Sequence, residues 1–291
     1  MTKTILITGA SRGIGRLTAR LLAEQGHVVH AGLRHIDGRN AEAAAELAGL
    51  SADLPGQILP VSLDVTDADQ IATAVAGIEA TGPIDVLINN AGVMPVGVTE
   101  AFTIAQAQAT MDVNLYGIMR TTRAVLPAMR ARKSGLIISL SSAAGRFGMP
   151  YFGLYCASKW AMEAWCEALH YELEPFGIES LLVEPSGHGT NLVSASPAPA
   201  DDAAVGGYGD MALGRDRLLG MFQGMFDQGD SVTDAGNVAR AIAGLIAAPS
   251  PRPIRTQVGE DMGVSAVNAA TAPIQAALVD MLRPIYRGEA A

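Results

Sequence analysis

Short apolar runs alternate along the chain with longer segments in which apolar residues recur at helical spacing. The run TILIT, Thr4 to Thr8, precedes a glycine-rich turn and an amphipathic stretch from Arg16 to Gln25 that stops at Gly26. The same alternation continues through most of the chain. It predicts repeated βαβ units, and therefore an α/β fold with a doubly wound parallel sheet of about seven strands and helices on both faces.

Individual elements are placed from the same pattern. Further strands are predicted at HVVHAG, ILPVSLDV (Ile58 to Val65), DVLINNAG, GLIISLSS (Gly135 to Ser142), IESLLVEP and IRTQVG. Further helices are predicted from about Ala105 to Arg132, from Tyr155 to Phe176, from Asp234 to Ala247 and at the C-terminal end. Thr66 is predicted to cap a helix that begins at Asp67.

The regular alternation is interrupted after Pro185. Residues 186–231 are rich in Gly, Ala, Met and Pro, and their periodicity is weak. We interpret them as a substrate lid inserted into a single catalytic domain of residues 1–291, because no linker or repeat divides the chain. The lid contains Met221, Phe222, Met225 and Phe226, which would form either an apolar pocket wall or the packed face of a lid helix.

Charge and composition restrict the class of function. The 291 residues are 49% hydrophobic and carry a formal net charge of -9, without a run of Lys or Arg. A negative chain without a basic patch is a poor partner for nucleic acid. No apolar stretch approaches the roughly 20 residues of a membrane span, and the N-terminus enters a strand without a signal peptide. We therefore expect no membrane association and a cytoplasmic location.

Metal and disulfide chemistry has no support in the sequence. Cys156 and Cys166 lie in one predicted helix, so they cannot easily bridge each other and are expected to be reduced. The histidines are scattered without ligand spacing. We therefore expect no metal site.

The first motif that indicates a binding site is TGASRGIG, Thr8 to Gly15, between the first predicted strand and the first predicted helix. Glycines here allow a tight turn and a close approach of backbone N–H groups to a pyrophosphate at the positive end of the helix. An ordinary βα turn would not need three glycines. The residues expected to hold the phosphates of a dinucleotide are Gly9, Ser11, Arg12, Gly13, Ile14 and Gly15.

The spacing G-x-x-x-G-x-G, together with NNAG at Asn89 to Gly92 and YCASK at Tyr155 to Lys159, resembles the short-chain dehydrogenase/reductase family. The three motifs occur in the family's order and cover nearly the whole chain. The resemblance implies a single-domain Rossmann fold and an NAD(P)-dependent oxidoreductase that interconverts a carbonyl and an alcohol. It also implies a homodimer or homotetramer formed through the two long helices.

The end of the second strand bears on the choice between NAD and NADP. An acidic residue there would bind the ribose hydroxyls of NAD, but the strand ends HAGLRH, with Gly32 in the acidic position. Arg34 and Arg12 would attract a 2′-phosphate, which favours NADP(H) over NAD(H), unless both are solvated surface charges. Asp37 is the alternative partner for the ribose, although it belongs to a predicted turn.

The resemblance implies further cofactor contacts. Asp64 would hydrogen-bond the adenine, with helix capping beside Thr66 as its alternative role, and Val65 would contribute a backbone contact. The cofactor would also be lined by Asn90, Ala91 and Gly92.

A segment that fixes the nicotinamide carboxamide in relatives, P-G-x-x-x-T, is expected at Pro185 to Thr190. Pro185 and Thr190 are retained as cofactor-binding residues, whereas Ser186 replaces the glycine and is less tolerant of unusual φ values. His188 is interpreted as a solvated loop residue.

Two tyrosines in YFGLYCASKW compete for a catalytic role. Residues four apart share a helix face, so Tyr155 projects beside Lys159, whereas Tyr151 has another tyrosine at that position. The ammonium group of Lys159 is expected to lower the pKa of Tyr155 from about 10 toward working pH, so that Tyr155 can act as a general acid or base.

The remaining catalytic assignments follow from the resemblance. Ser142 lies at the family spacing before Tyr155 and would hold the substrate oxygen, with Ser141 as the less favoured alternative. Lys159 would also bond the nicotinamide ribose. Asn114 would kink its helix and hold a water of a proton relay, or else be a locally satisfied helix residue. The predicted catalytic residues are therefore Asn114, Ser142, Tyr155 and Lys159.

The leading functional hypothesis is an NADP-dependent alcohol dehydrogenase or carbonyl reductase that acts on a hydrophobic small molecule. An NAD-dependent dehydrogenase of the same fold is one alternative. A nucleotide-sensing regulator would keep the glycine loop but has no need of a Tyr/Lys pair with a serine. A sugar-nucleotide epimerase or dehydratase is disfavoured because its glycine spacing is G-x-x-G-x-x-G and its substrate domain is larger.

Overall fold

The seven β-strands form one parallel sheet. The computed structural model describes residues 1–189, 197–227 and 231–288. The strands are β1 (Thr4–Thr8), β2 (Val28–Leu33), β3 (Gln57–Ser62), β4 (Val86–Asn89), β5 (Gly135–Leu140), β6 (Ile178–Pro185) and β7 (Arg255–Val258). Their order is β3-β2-β1-β4-β5-β6-β7, and neighbouring strands pair in parallel. This confirms the predicted α/β fold and its sheet.

Helices follow most strands. They are α1 (Gly13–Glu24), α2 (Ala41–Leu50), α3 (Ala68–Glu79), α4 (Ile104–Met111), α5 (Gly117–Arg132), α6 (Gly153–Leu173), α7 (Asp202–Gly207), α8 (Gly214–Asp227), α9 (Gly236–Ala247) and α10 (Val264–Tyr286). None of the described helices is long and apolar enough to cross a membrane.

The strands are apolar throughout because both faces of the sheet are covered. In β1, Ile5 and Ile7 pack with α1, α2 and α9 on one face, whereas Leu6 packs with α3 and α5 on the other. All three side chains are fully buried. Burial on both sides explains why TILIT lacks the alternation of a half-exposed strand.

Several boundaries differ from the predictions. The third strand ends at Ser62, not Val65, and Asp67 instead of Thr66 caps α3, because the Asp67 carboxylate accepts hydrogen bonds from the backbone of Asp69 and Gln70. The long helix predicted from residue 105 to 132 is broken into α4 and α5 by a π-helical turn at Asp112–Tyr116. In the 186–231 stretch, α7 and α8 form where no clear periodicity was found.

The order of the strands creates a crevice at the carboxyl edge of the sheet. Successive strands run from β1 to β3 in one direction and from β4 to β7 in the other. The loops after β1 and β4 therefore diverge, and such a switch point is where ligands bind in open α/β sheets.

Candidate active site

A cavity of about 990 Å³ lies at this edge, and it brings most of the predicted site residues together. The predicted residues that line it are Gly9, Ser11, Arg12, Gly13, Ile14, Gly15, Arg34, Val65, Asn90, Ala91, Gly92, Ser142, Tyr155, Lys159 and Pro185. Asp64 does not line the cavity, and its Oδ1 accepts hydrogen bonds from the backbone N–H and the hydroxyl of Thr66, ahead of Asp67, which caps α3. Thr190 lies outside the described residues.

The glycine-rich loop is packed so tightly at Gly9 and Gly15 that no side chain would fit at these two positions. A Cβ on Gly15 would lie 2.5 Å from both Nδ2 of Asn90 and the carbonyl oxygen of Gly9. Gly9 adopts a φ of +69°, and a Cβ there would lie 2.9 Å from Cα of Ala91. Asn90 holds the loop by donating from Nδ2 to the carbonyl oxygens of Thr8 and Gly9, at 2.8 and 3.0 Å. The loop is therefore a preformed cradle that leaves backbone close to any ligand.

The start of α1 opens into this cradle. Its first residues, Gly13 to Gly15, line the cavity, and its first turn contains no acidic residue. Arg12 stands at the N-cap but its side chain forms no capping hydrogen bond. The first N–H groups and the positive end of the helix dipole are thus available to an anion, as the pyrophosphate of a dinucleotide requires.

Three arginines border the same end of the cavity. Arg12 and Arg34 were predicted, whereas Arg39 was missed. None of the three forms an ion pair with another residue in the described part of the chain. Asn40 fixes the loop that carries Arg34 and Arg39 by donating to the carbonyl oxygen of Arg34 at 2.6 Å. Asp37, in the same loop, is exposed and does not line the cavity.

Tyr155 and Lys159 lie in the first two turns of α6, and both are nearly buried, with exposures of 5% and 6%. Nζ of Lys159 donates to the carbonyl oxygen of Leu140 at 2.6 Å and lies 5.7 Å from the ring centroid of Tyr155. Ser142 lies close enough to the Tyr155 hydroxyl to favour a lower pKa for it, and Oγ of Ser142 accepts from the backbone N–H of Ala144 at 3.1 Å. Ser142, rather than Ser141, is therefore the serine paired with the tyrosine.

Burial governs the protonation of both groups. It raises the pKa of Tyr155 to about 12, although Ser142 works in the opposite direction. It lowers the pKa of Lys159 to about 8, against the attraction of Glu163. The expected lowering of the tyrosine pKa is therefore not found, because the ammonium group of Lys159 is directed at the Leu140 carbonyl and burial dominates.

Asn114 occupies the centre of the π-helical turn and is fully buried. Its Oδ1 accepts from the backbone N–H of Val93, and its Nδ2 donates to the carbonyl oxygen of Val93, both at 2.9 Å. Nδ2 also donates to Oγ of Ser158 at 2.9 Å. The side chain thus ties the interrupted helix to the loop after β4.

The segment after β6 lies against the cavity. Ser186 is not in the left-handed region, and its backbone N–H donates to the carbonyl oxygen of Val258 at 2.9 Å, so serine is accommodated where relatives have glycine. His188 is 7% exposed and lines the cavity, and its Nδ1 lies 2.9 Å from the carbonyl oxygen of Ser186. The interpretation of His188 as a solvated residue was wrong.

The far end of the cavity is apolar. Residues from the loop after β4, the approach to α6, α8 and the loop after β7 meet there: Met94, Met149, Phe152, Leu219, Phe222, Phe226 and Met262. The rings of Phe152 and Phe222 pack edge to face with centroids 6.2 Å apart. Phe222 and Phe226 thus form a pocket wall, whereas Met221 is 52% exposed.

Tyr151 has a structural contact with the segment that carries α7 and α8. Its Oη donates to the carbonyl oxygen of Met211 at 2.5 Å, and the residue adopts a φ of +66°. Tyr151 does not line the cavity. The two tyrosines therefore differ in position, as the spacing predicted.

No group of three or more His, Cys, Asp or Glu side chains that could hold a metal ion occurs among the residues described. Cys156 and Cys166 are both free and buried.

Comparisons with known proteins agree with this geometry. The family model described as short chain dehydrogenase matches residues 3–200. A 3-ketodihydrosphingosine reductase of Bacteroides thetaiotaomicron is 39% identical over 189 residues, which are 65% of this chain and 65% of that reductase. The matched region therefore spans about two thirds of the length of each protein.

Solved structures extend the likeness to nearly the full chain. A short-chain dehydrogenase from Streptomyces avermitilis is 31% identical with a TM-score of 0.76, covering 99% of this chain and 98% of that one. A gluconate 5-dehydrogenase from Burkholderia cenocepacia, solved with NADP and tartrate, is 32% identical with a TM-score of 0.60, covering 65% of this chain and 73% of that one. The chain belongs to the short-chain dehydrogenase family.

Proposed function

We propose that the protein is an NADP(H)-dependent oxidoreductase that interconverts a carbonyl group and an alcohol on an apolar small molecule. The observation that supports this most directly is that Tyr155, Ser142 and Lys159 open into the same cavity as the glycine-rich cradle. A bound nicotinamide dinucleotide would exchange a hydride with the substrate carbon. The chain's own residues would align the substrate and manage the proton.

Tyr155 is the proposed general acid and base. With a pKa of about 12, its hydroxyl stays protonated near neutral pH and can donate to the oxygen of a carbonyl that is being reduced. Ser142 lines the same cavity, and the two hydroxyl groups would together hold the substrate oxygen. A neutral tyrosine favours the reductive direction, because oxidation would first require the buried hydroxyl to lose its proton.

Lys159 is proposed to bind the nicotinamide ribose and to stabilise negative charge that develops on Tyr155. Its Nζ is positioned by the Leu140 carbonyl, which fixes the amine inside the site. Because the pKa of Lys159 is about 8, the ammonium form prevails below that pH and is lost above it. Reduction is therefore expected to weaken on the alkaline side.

Two observations support NADP(H) over NAD(H). Arg12, Arg34 and Arg39 border one end of the cavity without ionic partners among the described residues, and Asp37 does not line it. The gluconate 5-dehydrogenase from Burkholderia cenocepacia was solved with NADP.

The substrate is proposed to be an uncharged, apolar ketone or alcohol. The end of the cavity between Phe152 and Phe226 is lined mainly by Met, Leu and Phe side chains, so its described residues offer no charged partner to a carboxylate or phosphate. A relative named as a 3-ketodihydrosphingosine reductase is consistent with a ketone substrate.

The test is reduction of a panel of apolar ketones with NADPH by the wild type, Tyr155→Phe and Tyr151→Phe. The Tyr155→Phe variant should lose about 10²- to 10⁴-fold in kcat while it still binds NADPH, because only the proton-transferring hydroxyl is removed. The Tyr151→Phe variant should keep its kcat, since that hydroxyl contacts Met211 outside the cavity. Unchanged kcat in Tyr155→Phe would refute the assignment, and NADPH binding without turnover of any ketone would favour a nucleotide-sensing regulator.

A further inference from the structure

Glu163 lies one helical turn after Lys159 on α6, and both side chains are buried, with exposures of 2% and 6%. Residues four apart share a helix face. An acidic side chain therefore accompanies the lysine that the proposed reaction uses, at a place where water cannot screen either charge.

The carboxylate of Glu163 is only partly satisfied. Its Oε2 accepts from Nε of Arg255 on β7 at 2.9 Å, while its Oε1 is buried and has no hydrogen-bond partner among the described residues. Arg255 uses both terminal nitrogens on the two carboxylate oxygens of Glu167, each at 2.9 Å. Because Arg255 serves more than one carboxylate, it does not cancel the charge of Glu163.

A third carboxyl group completes the cluster. Glu184, at the end of β6, has Oε1 at 3.4 Å from Nε of Arg255 and at 3.8 Å from Nε of Arg146. Burial and the nearby Glu163 raise the pKa of Glu184 to about 7. Glu184 thus takes up a proton near neutral pH, which relieves the excess of negative charge around Arg255.

The other groups that face Lys159 carry no charge near its titration. Burial raises the pKa of both Tyr155 and Cys166 to about 12, so both are neutral. The Leu140 carbonyl of β5 and the Met162 sulfur, which lies 3.6 Å from Nζ, are uncharged. Of the described groups that oppose the lowering of the Lys159 pKa by burial, Glu163 acts most strongly and Cys166 acts in the same direction.

We propose that Glu163 is a positioning residue that acts through Lys159, keeping its buried amine in the ammonium form while the site works. The inference rests on the proposed function, in which the ammonium group serves the cofactor ribose and Tyr155. Glu163 itself does not line the cavity.

The composition of the chain allows a direct test. The sequence has three lysines, Lys3, Lys133 and Lys159, so protein labelled with ¹³C at lysine Cε gives three resonances, and the Lys159→Met variant assigns the one of interest. In Glu163→Gln, the pH midpoint of Lys159 should fall by about one unit, since an opposite charge nearby changes a pKa by roughly that amount or more. The alkaline limb of kcat/KM should move down by the same amount.

Two variants control for the rest of the cluster. Glu167→Gln removes a carboxylate that also binds Arg255 but lies two turns from Lys159 and is not among the groups that shift its pKa, so it should move the midpoint by at most about a few tenths of a pH unit. Glu163→Asp keeps the charge and should restore most of the wild-type midpoint. An unchanged midpoint in Glu163→Gln, or equal shifts in Glu163→Gln and Glu167→Gln, would overturn the proposal.

If the Glu163→Gln variant does not fold, two other proteins are compared: the single variant Arg255→Gln and the double variant Glu163→Gln/Arg255→Gln. Both lack Arg255, so the Glu163→Gln change does not leave this arginine without its partner. A lower Lys159 midpoint in the double variant supports the proposal, and equal midpoints overturn it. The titration needs no turnover. A shifted midpoint without ketone reduction would therefore discredit the proposed function alone, and reduction without a shift would discredit the role of Glu163.

Discussion

Asn114 and Val93 exchange two hydrogen bonds of 2.9 Å, in which the amide side chain of one residue pairs with the backbone N–H and carbonyl of the other. The contact joins the π-helical turn between α4 and α5 to the loop that lines the cavity after β4. Val93 lines the cavity and Asn114 does not, so the contact holds this part of the cavity wall in place from the side that faces away from the cavity.

Replacing Asn114 by Ala should reduce the free energy of unfolding by about 1–3 kcal/mol, because polar backbone groups of Val93 would lose their partner. Urea denaturation measures this, and ketone reduction should fall in parallel as the loop loosens. Ser158→Ala removes only the third bond of Asn114 and should cost less. An Asn114→Ala protein as stable as the wild type would show that the paired bonds contribute nothing net.

Arg34→Ala and Arg39→Ala should each weaken NADPH binding by about tenfold to a hundredfold and leave NADH binding nearly unchanged. The reason is the loss of a charge-assisted bond to the 2′-phosphate, worth about 1.5–3 kcal/mol. Titration followed by nicotinamide fluorescence measures both affinities. Arg20→Ala is the control, since Arg20 pairs with Glu24 on α1 away from the cavity. If the wild type binds NADH as tightly as NADPH, the NAD-dependent alternative takes precedence.

Gly15→Ala should abolish measurable dinucleotide binding, because the new Cβ would meet Nδ2 of Asn90 and the Gly9 carbonyl oxygen at 2.5 Å and force the cradle open. Gly77→Ala is the matched control: Gly77 lies in α3 with nothing within 4 Å of a Cβ, so alanine should stabilise the protein by up to about 1 kcal/mol. Calorimetric titration with NADPH and thermal unfolding distinguish the two outcomes. Normal binding by Gly15→Ala would contradict the cradle.

Glu184 should make stability depend on pH. Its folded pKa of about 7 lies above the ordinary value of 4.5, so its stabilising contribution is complete below pH 4.5 and is lost as pH rises through 7. Unfolding free energies at about pH 5 and about pH 8 should therefore differ less in Glu184→Gln, a neutral isostere, than in the wild type. Glu46→Gln, at the exposed Arg16 pair, should behave as the wild type does. Equal pH dependence in wild type and Glu184→Gln would show that Glu184 ionises normally.

Elements buried on two faces were predictable, because β1 and β5 are apolar regardless of which helix covers them. The family resemblance implied a kink at Asn114, but no local pattern marks where α4 ends or α5 begins, since the contact of Asn114 is with Val93, twenty-one positions away. The helix α8 was missed because Gly214, Gly220 and Gly224 weaken its local propensity, and contacts with the body of the protein compensate.

The site was predictable where chemistry follows local spacing. Tyr155 and Lys159 share a helix face, and the glycine loop joins a strand directly to a helix. Arg39 was missed because its side chain reaches the cavity only through the turn that begins at His35, a residue with a φ of +48°. The pairing of Glu163 with Arg255 links residues 92 positions apart, and no local pattern reveals it.

The central pairing of β1 with β4 has a consequence for how the protein acquires its site. Ile5 pairs with Val86, so this contact closes a loop of about eighty residues and cannot form before the β2 and β3 units between them have been synthesised. The glycine cradle also needs Asn90, which follows β4. A fragment that ends after β3 would therefore contain the whole TGASRGIG motif but lack Asn90, whose hydrogen bonds hold the glycine-rich loop. During synthesis, affinity for a nucleotide should therefore appear only after β4 has paired with β1.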